Sequence, residues 1–482
     1  MHLALIIKIL GMLLMVFSIT MLPPVLVAWI YDDGMELPFL SAFAITFASG
    51  MALWMMFFRV REELGVRDGF LIVTLFWTVL GLIGSLPFIL ILKVSPTDAI
   101  FESMSGLTTT GASVLSGLDD MAPSLLYYRQ QLQWLGGMGV VVLAVAILPM
   151  LGVGGMQLYK AEIPGPMKES KLTPRIAETA KALWYVYLTV TIACATGYWL
   201  AGMSIFEAIC HSFSTVSTGG FSTRDASMAA FDSAAVDWVG AFFMFFSGAS
   251  FALMFAALRR GSIKTFFRDP EFRFYTGLMF IYLTIATVTL WAGGRYDSFE
   301  ETARHAAFQV ASYGTGTGLS STDAAGNWPL TLLILLIFTS FISGCAGSTT
   351  AGMKVVRVAL MLHQSQRELR RLVYPHGVFS LRFGRRTVND QVLQSVWGFI
   401  GVFVTIAVLL TLAMMATGMD LVTAFSAVAA SLNTLGMGIG GVSAGFGDIA
   451  TEAKWLMCVA MLLGRLEVFT ILVLFTPMFW RQ

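Results

Sequence analysis

Four short stretches of this chain combine hydroxyl side chains with glycine in a way that could hold an ion. The clearest are Thr108-Thr109-Thr110-Gly111-Ala112-Ser113 and Val216-Ser217-Thr218-Gly219-Gly220-Phe221. A third is Gly316-Thr317-Gly318-Leu319-Ser320-Ser321, and a weaker fourth is Asn433-Thr434-Leu435-Gly436-Met437-Gly438. Their key glycines, 111, 219, 318 and 436, recur roughly every hundred residues, the kind of self-similarity that marks a repeat architecture. An ion crossing a bilayer sheds water, and the backbone carbonyls of converging loops can replace those oxygens. Glycine permits positive φ, so that successive carbonyls can point the same way. Threonine and serine add oxygens without charge. The loop cores hold no Asp or Glu, and Asp323 lies beyond Gly318. A neutral ring of this kind suits a monovalent cation, whereas calcium sites favour carboxylates. Close helix packing is the competing use of such glycines. Four copies, each after a half-length apolar segment, favour the ring. A dinucleotide loop at Gly436-x-Gly438-x-Gly440 fails, because no strand or βαβ unit surrounds it.

The elements that must position these loops follow from composition. Of 482 residues, 57% are hydrophobic and 12% charged, with mean hydropathy +0.77. Soluble domains carry about 25% charged residues, so this is a polytopic membrane protein. The net charge of +1 points to no particular partner. No basic stripe interleaved with aromatics suggests nucleic-acid binding. Cys194, Cys210, Cys345 and Cys458 sit singly in apolar runs without zinc or redox spacing. The five histidines make no i, i+4 ligand pair. A membrane-embedded enzyme would need converging ionisable groups. No Asp pair, His pair or Ser–Lys arrangement at helical spacing supplies them.

Spanning helices need about 20 apolar residues. Residues 9–30 and 38–58 form a first pair outside the repeat. The run at 9–30 is too long for a leader peptide, and no small-x-small cleavage site precedes Asp32-Asp33. A four-part pattern then recurs. Its first copy is a span (69–92), a half-length segment (97–109), a loop (110–117) and a return span (125–151). The second is 182–201, 206–216, 218–223 and 236–258. The third is 274–292, 302–313, 315–323 and 330–362, and the fourth 393–415, 421–432, 434–447 and 455–479. A half-length segment followed by a polar loop reads as a re-entrant pore helix, tolerable at membrane depth only in a protein-lined or watery setting. The expected fold class is therefore all-α integral membrane. Four helix–pore helix–helix repeats (69–160, 161–268, 269–390 and 391–482) stand in pseudo-fourfold arrangement after two extra N-terminal transmembrane helices (1–68).

Charge gives an independent orientation. With Met1 inside, most of the 30 Lys and Arg residues fall on the inner side. They are Lys8, Arg59, Arg61 and Arg67, then positions 160, 168, 171, 175 and 181, then 259, 260, 264, 268 and 273, and finally the run from Lys354 to Arg386 with Arg481. Lys93, Arg129, Arg224, Arg295, Arg304 and Lys454 fall outside, and Arg465 lies within a helix. The pattern implies ten spans, both termini cytoplasmic and all four glycine loops outside.

Two further features stand beside the loops. Residues 330–362 are too many for one crossing. Their middle, Gly344, Cys345, Ala346, Gly347, Ser348, Thr349, Thr350, Ala351 and Gly352, is all small and a poor helix former. It is expected to break the helix, with Lys354 just beyond; tight helix packing is the alternative. Arg465 lies near the middle of the last span, where an arginine costs at least about 3 kcal/mol unless it meets a cavity or partner. Glu467, at i, i+2, lies on another helix face. Arg465 is therefore expected to point into the pore and meet the 344–352 loop, or else to bond a carbonyl of a broken helix as a structural group.

On the four loops, on Gly344 to Thr350, and on Gly464-Arg465-Leu466-Glu467, the whole chain resembles the Trk/Ktr/HKT superfamily of potassium transporters. The two extra N-terminal helices place the resemblance with the TrkH family of bacterial membrane subunits rather than with the shorter KtrB proteins. The resemblance implies inward passage of K⁺ and Rb⁺ across the bacterial inner membrane, homodimers, and no bound cofactor. It also implies a TrkA-like ring of nucleotide-binding regulatory subunits on the cytoplasmic side. The filter carried over is Thr109, Thr110, Gly111; Ser217, Thr218, Gly219; Gly316, Thr317, Gly318; and Thr434, Leu435, Gly436. The third loop allows two frames, and the match of Ser321-Thr322 to Ser222-Thr223 selects Thr317-Gly318. Leu435 leaves the fourth quadrant one hydroxyl short. The 344–352 segment, with Lys354 and Arg465, is implied to be a gate below the filter, where Arg465 holds the loop and repels cations. The inner loop, with Arg367, Arg370, Arg371, Arg382, Arg385 and Arg386, is either a topology and lipid signal or, on the resemblance, a docking surface for the regulatory ring. A Na⁺-coupled or Na⁺-permeable carrier of the same fold is the alternative function.

Overall fold

The short helices share a start signal that the local chemistry explains. Ser95, Ser204 and Ser298 accept from the backbone N–H of Asp98, Glu207 and Glu301, and Asp420 accepts from Val422 and Thr423. A hydroxyl or carboxylate at the cap satisfies an orphan N–H of the first turn, and an acid three residues on complements the helix dipole. Four short helices follow: Pro96–Leu107, Ile205–Ser217, Phe299–Thr315 and Leu421–Leu432. Each ends where a glycine loop begins.

The structure is a computed structural model that describes residues 2–60, 65–139, 176–377, 379–384 and 386–481. Basic positions 61, 160, 168, 171, 175 and 385, and the far end of the 125–151 span, lie outside the described residues. Among the described residues the fold is overwhelmingly helical, as expected. Two strand pairs with two residues per strand, Ile342–Ser343 with Met353–Lys354 and Arg382–Phe383 with Arg386–Thr387, are the small departure from all-α among the described residues.

A long helix leads into each short one: Val66–Ile83 continuing as Leu86–Leu92, then Ile176–Leu200, Pro270–Ala292 and Asp390–Ala416. After each loop the chain returns through Pro123–Gly137, Ala234–Ser247, Leu330–Phe341 and Thr451–Arg465. The N-terminal pair, Leu3–Ile19 and Glu36–Met56, crosses at Gly11 and Gly50. A β-carbon on either would lie 2.7 Å from the other's carbonyl oxygen. That close approach is what small residues permit between membrane helices.

Among the described residues, six helices are long and apolar enough to cross a membrane, or eight if each bent pair counts as one span. The return spans expected at 236–258 and 455–479 are not straight. They bend by 98° between Ala234–Ser247 and Phe251–Arg260, and by 105° between Thr451–Arg465 and Phe469–Phe475. The third return span breaks at the small-residue stretch, between Leu330–Phe341 and Val355–Val373.

Candidate functional site

The loops meet edge to edge. A β-carbon on Gly111 would stand 2.2 Å from the Gly219 carbonyl oxygen, and one on Gly220 the same distance from the Thr317 oxygen. One on Gly318 would stand 2.0 Å from the Leu435 oxygen, and one on Gly436 2.3 Å from the Thr110 oxygen. First touches second, second third, third fourth, and fourth first. Gly111, Gly220, Gly318 and Gly436 all line one cavity of about 560 Å³.

Backbone angles fix the register of the loops. Positive φ occurs at Thr109, Thr218, Gly316 and Thr434, and two residues later at Gly111, Gly220, Gly318 and Gly436. Between each pair, the N–H of Thr110, Gly219, Thr317 and Leu435 reaches back to Ser105, Ser214, Ser312 and Ala430. The equivalent triplets are thus 109–111, 218–220, 316–318 and 434–436. The second loop is displaced by one from the expected frame. Gly220 stands where Gly111 does, and Ser217 matches Thr108, one step before the ring. The same shift makes Ser320, not Ser321, the counterpart of Ser222. Gln133 explains why the second triplet is Thr-Gly-Gly. Its amide donates to the Gly219 carbonyl at 2.5 Å and accepts from Phe221 N–H at 3.1 Å, filling the space that a side chain at 219 would need. Positive φ at three threonines is strained for a β-branched residue, and such strain concentrates at functional sites.

Side chains around the ring follow a twofold rather than a fourfold rule. The Thr108 and Thr110 hydroxyls pair at 2.8 Å, and Thr315 and Thr317 at 2.7 Å, in the first and third loops. Gly219 and Leu435 leave the second and fourth without that pair. Each short helix hands over to its loop at the C-terminal end, whose carbonyls carry about half a negative charge. Four such ends at one ring favour a cation.

Behind the ring, each of the first three short helices braces its own loop. Ser113 donates to Glu102 at 3.0 Å, Ser222 meets His211 Nε2 at 3.0 Å, and Gln309 donates to Ser320 at 2.7 Å. The fourth has Ala427 and Gly438 at these places. Ser426 ties the Ile439 backbone instead, donating to its carbonyl at 3.0 Å and accepting from its N–H at 3.1 Å. Arg129, assigned to the outside by charge counting, is fully buried and donates to Glu102 at 2.7 and 2.9 Å. These braces were missed in the sequence. Their signal is a polar residue six places before three of the four helix–loop junctions and a serine two places after the ring glycines of the same three loops.

At the mouth, Arg224 donates to Glu207 at 2.5 Å and to Asp119 at 3.2 Å. Burial alone raises the Glu207 carboxyl, but hydrogen bonds from Arg224 and Ser204 outweigh it and hold the group below the usual carboxylate range.

The small-residue loop lies against the ring. Thr349 Oγ1 donates to the Val216 carbonyl at 3.1 Å, and Thr218 Oγ1 lies 3.3 Å from it. Cys345 N–H donates to the Gly248 carbonyl at 2.7 Å, at the bend of the second return helix. Ala346 N–H donates to Glu271 at 2.7 Å. Lys354 caps the loop from within, donating to the Thr350 carbonyl and, at 2.9 Å, to its hydroxyl. Arg465, at the bend of the last helix, donates to the Thr349 carbonyl at 2.9 Å, to Thr109 Oγ1 at 3.3 Å and to the Gly136 carbonyl. Glu467 does not pair with it; that carboxylate meets Arg357. A second cavity, of about 100 Å³, is lined by residues 347–352 with Lys354, Arg465 and Glu467 and by none of the ring glycines. The chain therefore brings together all four glycine loops, the 344–352 stretch and Arg465. The basic inner segment lies elsewhere, on Val355–Val373 and the strand pair after it, where Arg367 meets Asp390 at 3.0 Å.

Comparison with known proteins bears on this arrangement. A family model described as "TrkH: Cation transport protein" matches residues 36–482. The chain is 52% identical to the Trk system potassium uptake protein TrkH of Halomonas elongata over all of both chains. It is 50% identical to the protein of that name from Escherichia coli, again over the whole of each chain. The crystal structure of the potassium transporter TrkH from Vibrio parahaemolyticus superposes with a TM-score of 0.91, at 49% identity and over 100% of both chains.

Proposed function

The chain belongs to the TrkH family of cation transport proteins, and on that footing we propose that it takes up K⁺ across the bacterial inner membrane through the ring of four loops. Its work is transport rather than catalysis, and K⁺ (with Rb⁺) is the cargo. The observation that carries the reading is the closed circuit of glycine-to-carbonyl contacts around one cavity. The filter is 109–111, 218–220, 316–318 and 434–436, with Ser217 one step before it. In this reading the units 69–160, 161–268, 269–390 and 391–482 are the four quadrants, residues 1–68 stand outside them, and both termini are cytoplasmic.

The 344–352 loop is the gate. It lies between the ring and the smaller cavity, and Arg465 and Lys354 hold it there through the Thr349 and Thr350 carbonyls. Arg465 also places a fixed positive charge beneath the ring. Opening requires these bonds to be exchanged, and a TrkA-like cytoplasmic ring docked on the basic segment around Arg367, Arg370 and Arg371 supplies the means. The protein works as a homodimer. Net inward movement follows the membrane potential, about 2.3 kcal/mol per charge per 100 mV. The test is growth of a K⁺-uptake-deficient bacterium in low-K⁺ medium with the regulatory partner supplied. Rescue is expected, and its failure overturns the reading. Flux that needs Na⁺, or carries it equally well, would instead favour the Na⁺-coupled or Na⁺-permeable alternative.

A further inference from the structure

Four quadrants that must present one ring of oxygens are held in unequal ways. In the second and third, neutral side chains link short helix to loop: His211 to Ser222 and Gln309 to Ser320. In the fourth, Ala427 and Gly438 provide no such link. The first alone uses a fully buried ion pair; the charged pair of the second, Arg224 with Glu207, lies partly exposed at the mouth. Glu102 and Arg129 are each 0% exposed. Arg129 Nε and Nη2 donate to Glu102 Oε1 at 2.9 and 2.7 Å, and Nη2 also reaches Ser113 Oγ at 3.2 Å. The other carboxylate oxygen accepts from Val114 N–H at 3.1 Å. The remaining arm of the guanidinium crosses to the next quadrant. Nη1 donates to the Ser222 carbonyl at 3.0 Å, and the guanidinium carbon lies 4.2 Å from the centre of the Phe221 ring. One turn along the same helix, Gln133 grips Gly219 and Phe221.

A buried ion pair is weak evidence of stability, since desolvation offsets much of the attraction. Its geometry matters more here. Glu102 fixes the loop of the first quadrant, and Arg129 carries that position to the loop of the second. The bidentate fork of arginine transmits orientation as well as charge.

We propose that Glu102 and Arg129 are positioning residues for ion selection, an ionic strut that sets the spacing of the first and second filter loops. The proposal rests on the reading of the ring as a K⁺ filter. The strut touches no ion. It holds the Gly219 and Gly220 side of the ring in register with Gly111.

The experiment compares purified full-length variants in vesicles, reading ⁸⁶Rb⁺ and ²²Na⁺ uptake under the same imposed potential. Glu102→Gln alone leaves a buried guanidinium facing a neutral partner. The double variant Glu102→Gln/Arg129→Met removes both charges and is the one that keeps the fold. A second double variant, Lys454→Met/Asp98→Asn, deletes the 2.6 Å ion pair between Lys454 and the first turn of the same short helix, away from the ring. The strut variant is expected to stay monodisperse and to lose K⁺-over-Na⁺ preference about tenfold, which corresponds to about 1.4 kcal/mol, while the Lys454 variant keeps the wild-type ratio. A folded strut variant with wild-type preference overturns the proposal. Equal loss in both double variants also overturns it, because general loosening would then account for the effect. Wild-type protein without preference overturns the filter reading itself. Preference lost in Gly318→Ala but kept in the strut variant overturns the strut alone.

Discussion

Replacing Gly318 by alanine tests the ring most directly, because the structure separates its two costs. At φ +80° an added side chain is strained whatever the space around it, at about 1–2 kcal/mol. The β-carbon would also stand 2.0 Å from the Leu435 carbonyl oxygen. Non-bonded heavy atoms sit at about 3.5 Å or more, so the third and fourth loops must part by about 1.5 Å. Working sites tolerate errors of about 0.5 Å, so the ring cannot keep its geometry. Gly117→Ala is the matched control, with φ +72° and nothing within 4 Å of the added carbon. It carries the backbone cost alone. The assay is initial ⁸⁶Rb⁺ uptake in a K⁺-uptake-deficient strain, normalised to membrane-inserted protein. Gly318→Ala is expected to lose at least about tenfold and Gly117→Ala less than about twofold. Equal uptake by the two variants at equal protein level would refute the claim that the glycine contacts form the conducting ring.

Three other outcomes follow from the site. Arg465→Ala removes the donor to the Thr349 carbonyl and is expected to raise K⁺ flux without the regulatory partner; unchanged flux and unchanged regulation would end the gating role. Gly219→Ala should be poorly tolerated because its β-carbon meets Gln133 Cδ at 2.5 Å. In a Gln133→Ala background the same change should cost less, and additive thermal shifts in the double-mutant cycle would show that the two do not interact. The lowered Glu207 carboxyl contributes stability that is present above the usual carboxylate range near pH 4.3 and is lost as pH falls through its folded value. Detergent-solubilised Glu207→Gln should therefore show a flatter thermal-stability profile between about pH 5 and pH 3 than the parent chain, and parallel profiles would count against the Arg224 contact.

Much of this arrangement was legible in the residues because it is written in small side chains. Glycine and threonine in a short apolar frame marked all four loops, and a run of small residues in an over-long span marked the break at 344–352. The register of the second loop was not legible. Gly219 and Gly220 are equivalent on paper, and only Gln133, far away in sequence, decides which of them carries the positive φ. The burial of Arg129 was not legible for a related reason. Charge counting reads a cation as a solvent-facing signal, but Glu102 on a neighbouring helix lets this one stay dry. The bends at 248–250 and 466–468 left no helix breaker stronger than Gly248 to announce them. They are fixed by contacts such as that between Cys345 N–H and the Gly248 carbonyl.

The two-residue pairing of Ile342–Ser343 with Met353–Lys354 has a mechanical meaning. It ties the ends of the intervening segment together, so the entropy of closing a loop of about ten residues is already spent in this conformation. If the segment swings aside, the two helical halves stay clasped and their backbone groups remain satisfied at membrane depth. The excursion then costs the bonds from the segment to Arg465, Lys354, Thr218, Val216, Gly248, Phe251 and Glu271. A span that stays intact while its middle moves can open and reseal many times without partly unfolding.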